Sequence, residues 1–113
     1  MQRIPVPIPP QVLGTAAAPI YTAPTGTTTT VANLSFTNTS AAPVSVTVHN
    51  VPNGGSPSIA NELVSAFSIA AGRTYVPAQA IGLNLSPSST LQALASADGV
   101  VTAQGGAYET SGS

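Results

Sequence analysis

Few side chains of this chain could take part in catalysis, and His49 is its one imidazole. A histidine titrates near neutral pH and could act as a general base. His49 lies between Val48 and Asn50 on the outward side of a predicted strand, a position more typical of a surface or interface histidine. Asp98 precedes Gly99 in a turn dipeptide, and that turn accounts for its side chain. We therefore predict no catalytic residue.

The remaining acidic residues, Glu62 and Glu109, lie far apart in the sequence, and no spacing indicates the carboxylate pair of a glycosidase. Nucleophile-elbow, zinc-protease and phosphate-loop motifs do not occur. The glycine-rich run 53–56 has no lysine. The sequence contains no cysteine, and its acidic residues are too scattered for a calcium loop. The sequence thus predicts no enzyme activity, no cofactor and no metal.

Two weaker patterns concern sugars. Asparagine triplets of the glycosylation type occur at 33–35, 38–40 and 84–86, and in a chain so rich in serine and threonine we expect them to be inert. Tyr21, Tyr75 and Tyr108 could stack on a glycan, although packing at strand ends is the simpler interpretation.

Charged residues make up only 4% of the 113 positions, and the formal net charge is −1. The two basic residues, Arg3 and Arg73, cannot supply the phosphate contacts that nucleic-acid binding requires. No apolar run has membrane-spanning length, and prolines interrupt the first residues where a signal peptide would be apolar. A net charge near zero favours association. We expect a homo-oligomer that binds neither nucleic acid nor membrane.

Residues 1–19 differ from the rest of the chain. Alternating prolines fix φ and exclude a helix, which predicts an extended arm. Its apolar residues would gain from burial against a partner, although a self-packed or disordered tail explains the pattern equally well. The predicted partner-binding residues are Ile4, Pro5, Val6, Pro7, Ile8, Pro9 and Pro10.

From residue 20 to 110 the pattern has period two with frequent turn residues, which is typical of short antiparallel strands. Strands are predicted at 28–38, 43–51, 63–69, 73–78, 81–85, 90–96 and 100–108. The inward side chains are expected to be Ala32, Leu34 and Phe36, then Val44, Val46 and Val48, then Leu63, Ser65, Phe67 and Ile69, then Leu91, Ala93 and Ala95. Residues 111–113 are predicted to be a flexible tail.

Two links between strands are predicted to be hairpin turns. The short link 38–43 predicts that strands 28–38 and 43–51 pair, and Asp98-Gly99 predicts that 91–97 pairs with 100–108. Residues 57–64 could instead form one helical turn with Ser58 as its cap. Gly105-Gly106 indicates a bulge or a close backbone contact. The fold class is therefore all-β, as an antiparallel sandwich or a jelly-roll-like barrel.

Several segments combine short polar strands with turns of the A-P-x-G and N-x-S type, over about residues 20–109. They are Ile20-Tyr21-Thr22-Ala23-Pro24-Thr25-Gly26-Thr27-Thr28-Thr29, Leu34-Ser35-Phe36-Thr37-Asn38-Thr39-Ser40, Val46-Thr47-Val48-His49, Ile69-Ala70-Ala71-Gly72-Arg73-Thr74 and Leu83-Asn84-Leu85-Ser86-Pro87-Ser88-Ser89-Thr90-Leu91-Gln92-Ala93. In these segments the chain resembles small β-sandwich proteins of tailed bacteriophage particles.

This resemblance implies a structural protein of the virion, assembled in the host cytoplasm. We expect a capsid decoration (cement) protein, with trimers contacting the major capsid protein and stabilising the phage head. A neck, collar or tail-fibre component is the alternative. A host-surface carbohydrate-binding module is a third hypothesis, which rests on the polar loops and the tyrosines.

Overall fold

The computed structural model describes residues 3–111, which form two antiparallel sheets packed face to face. This architecture agrees with the predicted all-β class. The five-stranded sheet contains β1 (Arg3–Val12), β3 (Thr27–Asn38), β6 (Thr74–Tyr75), β7 (Asn84–Leu85) and β9 (Val101–Ser111). The four-stranded sheet contains β2 (Ala18–Thr22), β4 (Val44–Val51), β5 (Glu62–Ile69) and β8 (Thr90–Ala95).

The strands pair from the outside of the sequence inward. The first strand pairs with the last, β2 pairs with β8, β3 pairs with both β6 and β7, and β4 pairs with β5 in the middle. The strand orders are β1-β9-β3-β6, with β7 beside β3, and β2-β8-β4-β5. This is the connectivity of a jelly roll, in which one long hairpin is folded over to make two sheets.

Apolar side chains from both sheets fill the space between them. Leu34, Phe36, Leu85 and Leu91 are fully buried. The predicted inward set of β8 is confirmed, because Leu91, Ala93 and Ala95 are all buried. The alternating pattern of the sequence therefore identifies much of this core.

Both predicted strand pairings at the turns are wrong. β3 and β4 belong to different sheets, and so do β8 and β9. The link 39–43 crosses from one sheet to the other, held by the buried side chain of Asn38. The turn at Asp98 also crosses between the sheets, with the Gly99 amide donating to the Leu13 carbonyl. A turn sequence shows where the chain reverses, and each strand here finds its partners far away in the sequence.

Bulges shift two predicted core faces. In β5 the register against β4 slips between Val46 and Val48, at Ala66, whose φ is +46°. Val64 is therefore buried, whereas Ser65 is exposed. Of the predicted inward set, Ile69 is buried and Leu63 is half-buried against the core. The predictions for Ser65 and Phe67 are wrong, since Phe67 is 45% exposed, because the extra residue changes which side chains face inward.

The same kind of shift occurs in β3. The register against β9 slips between Val31 and Asn33. Val31 is buried and Ala32 is exposed, so the predicted inward position of Ala32 is wrong. Gly105 permits this bulge, because a Cβ atom there would lie 2.1 Å from the Asn33 carbonyl oxygen. This close approach agrees with the prediction from Gly105-Gly106.

The strands predicted at 73–78 and 81–85 are shorter than expected. Of these two predicted strands, only the two-residue segments β6 and β7 are paired, each with β3, and a 3-10 turn over Ala78–Ala80 lies between them. The alternative helical reading of 57–64 is correct for one turn, a 3-10 turn over Ile59–Asn61 that follows Ser58. Phe67 of β5 stacks on Tyr75 of β6, with ring centroids 3.9 Å apart, and this contact joins the two sheets at their edges.

Candidate functional site

The predicted partner-binding segment lies in the five-stranded sheet as its edge strand. β1 pairs with β9 along its length, and Ile8 is only 1% exposed. The expected arm is extended, but it is part of the domain. Burial of the Ile8 side chain in the core is more favourable than its exposure to solvent. Ile4 remains 48% exposed. Whether the segment contacts a partner stays a prediction.

The outer edge of β1 lacks amide donors at its prolines. Pro5 and Pro7 alternate with Val6 and Ile8, and alternate residues of a strand direct their backbone groups to opposite sides. Because proline cannot donate to the ladder with β9, the pairing is consistent with amides of Val6 and Ile8 directed to β9 and prolines on the open side. Proline is tolerated on an edge strand in this way. This edge therefore cannot add a further strand by regular backbone pairing.

An apolar groove of about 350 Å³ crosses the outer face of the five-stranded sheet. Its lining side chains and backbone come from Pro5, Val6, Pro7, Ala32, Gly106, Ala107 and Tyr108. The glycine at 106 forms the open floor between the prolines and Tyr108. The predicted partner-binding segment thus supplies one wall of a surface groove.

The outer face around this groove carries hydroxyl groups and no described charge. Outward positions of β3 and β9 include Thr28, Thr30, Thr37, Thr102 and Thr110. Of the charged side chains that the structure describes, Glu109 points between the sheets and the others, Glu62, Arg73 and Asp98, lie at strand ends or in turns. A face of this kind can be covered without burying an unpaired charge.

His49 is a structural residue in this fold. It lies on the outward side of β4, as predicted, but it is only 4% exposed because the loop 52–61 covers it. Its Nδ1–H donates to Asn61 Oδ1 at 2.9 Å and lies 3.1 Å from the Ser58 carbonyl oxygen. Both partners are acceptors, so Nδ1 carries the proton. The histidine holds the loop and is not placed as a general base.

A polar cavity of about 400 Å³ opens beside that loop, at the end of the sandwich. We call it the end cavity. Its polar lining consists of Asn50, Asn61, Glu62, Asn84, Ser86 and Ser89, and its apolar lining of Pro52, Ala60 and Leu63. These residues come from β4, β5, β7 and the loops between them, so no local sequence pattern could bring them together. Only the asparagine-rich composition of the loops was a signal.

No known protein family and no characterised protein matches this sequence. Solved structures match its fold. A Bacillus endospore appendage protein, from a novel family of disulfide-linked pili, is 15% identical, with a TM-score of 0.56 over 99% of this chain and 88% of the other. A protein of the T13 infectious bursal disease virus particle is 11% identical, with a TM-score of 0.53 over 96% of this chain. The chain spans 30% of that viral protein. These matches show the fold.

Glu109, Tyr21 and Thr29 form a polar contact between the sheets. The Tyr21 hydroxyl donates to the Glu109 carboxylate, and Thr29 Oγ1 lies 3.0 Å from the same hydroxyl. Burial, together with the hydrogen bond to Glu109, raises the pKa of Tyr21 to about 12. Glu109 thus accepts a hydrogen bond between the sheets. It does not line the end cavity, which Glu62 does.

This contact predicts a loss of stability in alkali. A tyrosine with a raised pKa holds its proton more tightly in the folded state, so its contribution is complete below pH 10 and is lost as the pH rises towards 12. Urea unfolding at neutral pH and at pH 11 should show a smaller decrease for Tyr21→Phe than for the wild type. Equal decreases in the two proteins would contradict this assignment.

The other candidate residues are separated in the fold. Asp98 is in an exposed turn, Tyr75 is stacked on Phe67, and Tyr108 lines the groove. These positions form no common sugar platform. Asn38 of the second glycosylation triplet is fully buried, and both hydrogens of its amide are donated to carbonyl oxygens. That triplet therefore cannot be glycosylated in the folded protein.

Within the described residues no group of three acidic or histidine side chains could hold a metal ion. In the same residues, no helical segment has the length and hydropathy of a membrane span.

Proposed function

We propose that this protein is a non-enzymatic structural subunit of an assembled particle, specifically a decoration protein on a phage head. The observation that carries the proposal is the outer face of the five-stranded sheet, which has an apolar groove and hydroxyl side chains and no described charge. With a net charge of −1, copies of the chain have little electrostatic repulsion to keep them apart. A trimer on the major capsid protein is the arrangement that we favour.

The groove and the segment Ile4–Pro10 are the proposed contact with the shell. Deleting residues 1–10 would not test this, because the deletion also removes Ile8 from the core. Pro7→Ala and Tyr108→Ser change the groove with less effect on the core. Both variants should bind purified, decoration-free particles more weakly than the wild type, whereas Gln104→Ala, exposed on the same strand as Tyr108, should bind normally. Unchanged binding by both groove variants would contradict the proposed contact.

The copy number per purified native particle tests the function itself. Quantitative mass spectrometry against the major shell protein should give a ratio near one to one, or one trimer for every few shell subunits. A handful of copies would instead indicate the neck, collar or tail fibre. Absence from particles would contradict the virion proposal.

A self-assembling fibre subunit is the second candidate. It is favoured by the fold match to an appendage protein, which covers nearly the whole of both chains. The chain contains no cysteine, so any such fibre would be held together without disulfides. Electron microscopy of the concentrated protein distinguishes the two candidates, because only a fibre subunit should form filaments in the absence of particles.

A further inference from the structure

The end cavity contains polar groups that the fold itself does not use. The side chains of Asn50, Glu62 and Ser86 make no hydrogen bond within the described part of the chain, and they line the same cavity. Asn84 accepts a hydrogen bond from the Thr30 hydroxyl at 2.8 Å through Oδ1, which leaves the donors of its amide available. A carboxylate, two amides and a hydroxyl therefore face a shared space.

The walls of the cavity are fixed before any ligand arrives. Asn61 Oδ1 accepts hydrogen bonds from His49 and from the Ser58 amide, and its Nδ2 donates to the Ser56 carbonyl. Asn61 Oδ1 and one hydrogen of its Nδ2 are used in this way to hold the loop against β4. A ligand would not have to order this wall, and a preorganised site binds at lower entropic cost.

The charges around the cavity select the class of ligand. Among the described residues that line it, Glu62 is the one charged side chain and none is basic. A phosphate or a carboxylate would be repelled. One carboxylate is too few for a calcium site, which needs several charged oxygen ligands. A neutral ligand with several hydroxyl groups matches these donors and acceptors.

The size of the end cavity and its apolar lining also favour a neutral polyhydroxyl ligand. About 400 Å³ is towards the small end of ligand pockets, which hold roughly 300–1,000 Å³. Pro52, Ala60 and Leu63 offer an apolar wall for the C–H face of a sugar ring, and the amides and carboxylate suit its vicinal hydroxyls. We propose that the end cavity binds one neutral saccharide unit of a glycan. This site does not depend on the assembly proposed above.

Nuclear magnetic resonance of the full chain tests the proposal. The probes are the methyl glycosides of glucose, galactose, mannose and N-acetylglucosamine, each added to the ¹⁵N-labelled protein. At least one should shift the signals of Asn50, Glu62 and Asn84 in a saturable way. The signals of the groove around Tyr108 should not move.

Two variants make the test specific. Glu62→Gln keeps the shape and loses charge-assisted hydrogen bonds, and Asn50→Ala removes an amide; each should weaken binding about tenfold. Asn33→Ala, exposed on the outer face of the five-stranded sheet and outside the cavity lining, should bind the sugar like the wild type. The unperturbed remainder of each spectrum reports that the variant is folded.

The proposal is overturned if none of the four glycosides shifts the cavity signals, or if the shifts persist unchanged in both variants. Shifts of the same signals with calcium chloride or inorganic phosphate alone, and none with the sugars, would make this an ion site and would also overturn it. Particle composition measures the assembly separately, so failure of one proposal leaves the other testable.

Discussion

Gly105→Ala should be the most damaging single methyl addition among the described glycines. The new Cβ would lie 2.1 Å from the carbonyl oxygen and 2.8 Å from the carbonyl carbon of Asn33. Both atoms belong to the backbone of the neighbouring strand, so no side chain can turn aside to make room. We expect a loss of about 3 kcal/mol or more in the free energy of unfolding, since overpacking against a fixed backbone is costly.

The adjacent glycine provides a matched control. A Cβ at Gly106 would meet its nearest atom, the Val6 carbonyl oxygen, at 3.8 Å, an ordinary van der Waals contact. Gly106→Ala should therefore change stability by less than about 1 kcal/mol. Urea denaturation of the two variants side by side measures the difference. Similar midpoints would show that the bulge opposite Gly105 can rearrange.

Asn38→Ala should cost about 3 kcal/mol, because it removes a buried amide that connects three segments of chain. Asn38 Nδ2 donates to the carbonyl oxygens of Ala42 at 2.8 Å and Ile69 at 2.9 Å. Its Oδ1 accepts from the Ser40 amide at 2.9 Å and from the Ser40 hydroxyl at 2.7 Å. Alanine would leave the Ile69 carbonyl buried without this donor.

Two further variants separate the hydrogen bonds from side-chain volume. Asn38→Asp has nearly the same shape, but at neutral pH it places a carboxylate against two carbonyl oxygens, so it should be at least as destabilising as alanine. Acid should restore part of its stability, because the protonated form can donate to one carbonyl. Asn33→Ala, exposed on the same strand, should stay within about 0.5 kcal/mol of the wild type. Thermal unfolding measures the stability of Asn38→Ala, Asn38→Asp and Asn33→Ala. A loss of stability in Asn38→Ala as small as that in Asn33→Ala would show that water replaces the amide.

The sequence predicted strand positions better than strand partners. Alternation located β3, β4, β5 and β8, because side-chain burial is a property of each strand alone. The partners of β3 are β9, β6 and β7, and no short-range pattern encodes a pairing between residues 27–38 and 101–111. Turn chemistry at Asp98-Gly99 indicated a reversal correctly but could not show that the chain also changes sheets.

Bulges explain why the predicted inward side chains of β3 and β5 are partly wrong. A single extra residue at Ala66 turned Val64 inward, and another at Ala32 turned Val31 inward. Composition alone gives no sign of either, except for the glycine at 105. The end cavity was also beyond sequence reasoning, since Asn50, Glu62 and Asn84 come from three different strands.

Pairing of the first strand with the last has a consequence for synthesis. β1 leaves the ribosome early, yet its partner β9 is the last strand of the domain to be made. The five-stranded sheet therefore cannot close during translation, and non-local pairing of this kind folds slowly. During that interval the apolar residues of β1 are exposed to other nascent chains. Its prolines then act as a safeguard, because a segment with few outward amide donors is a poor template for aggregation.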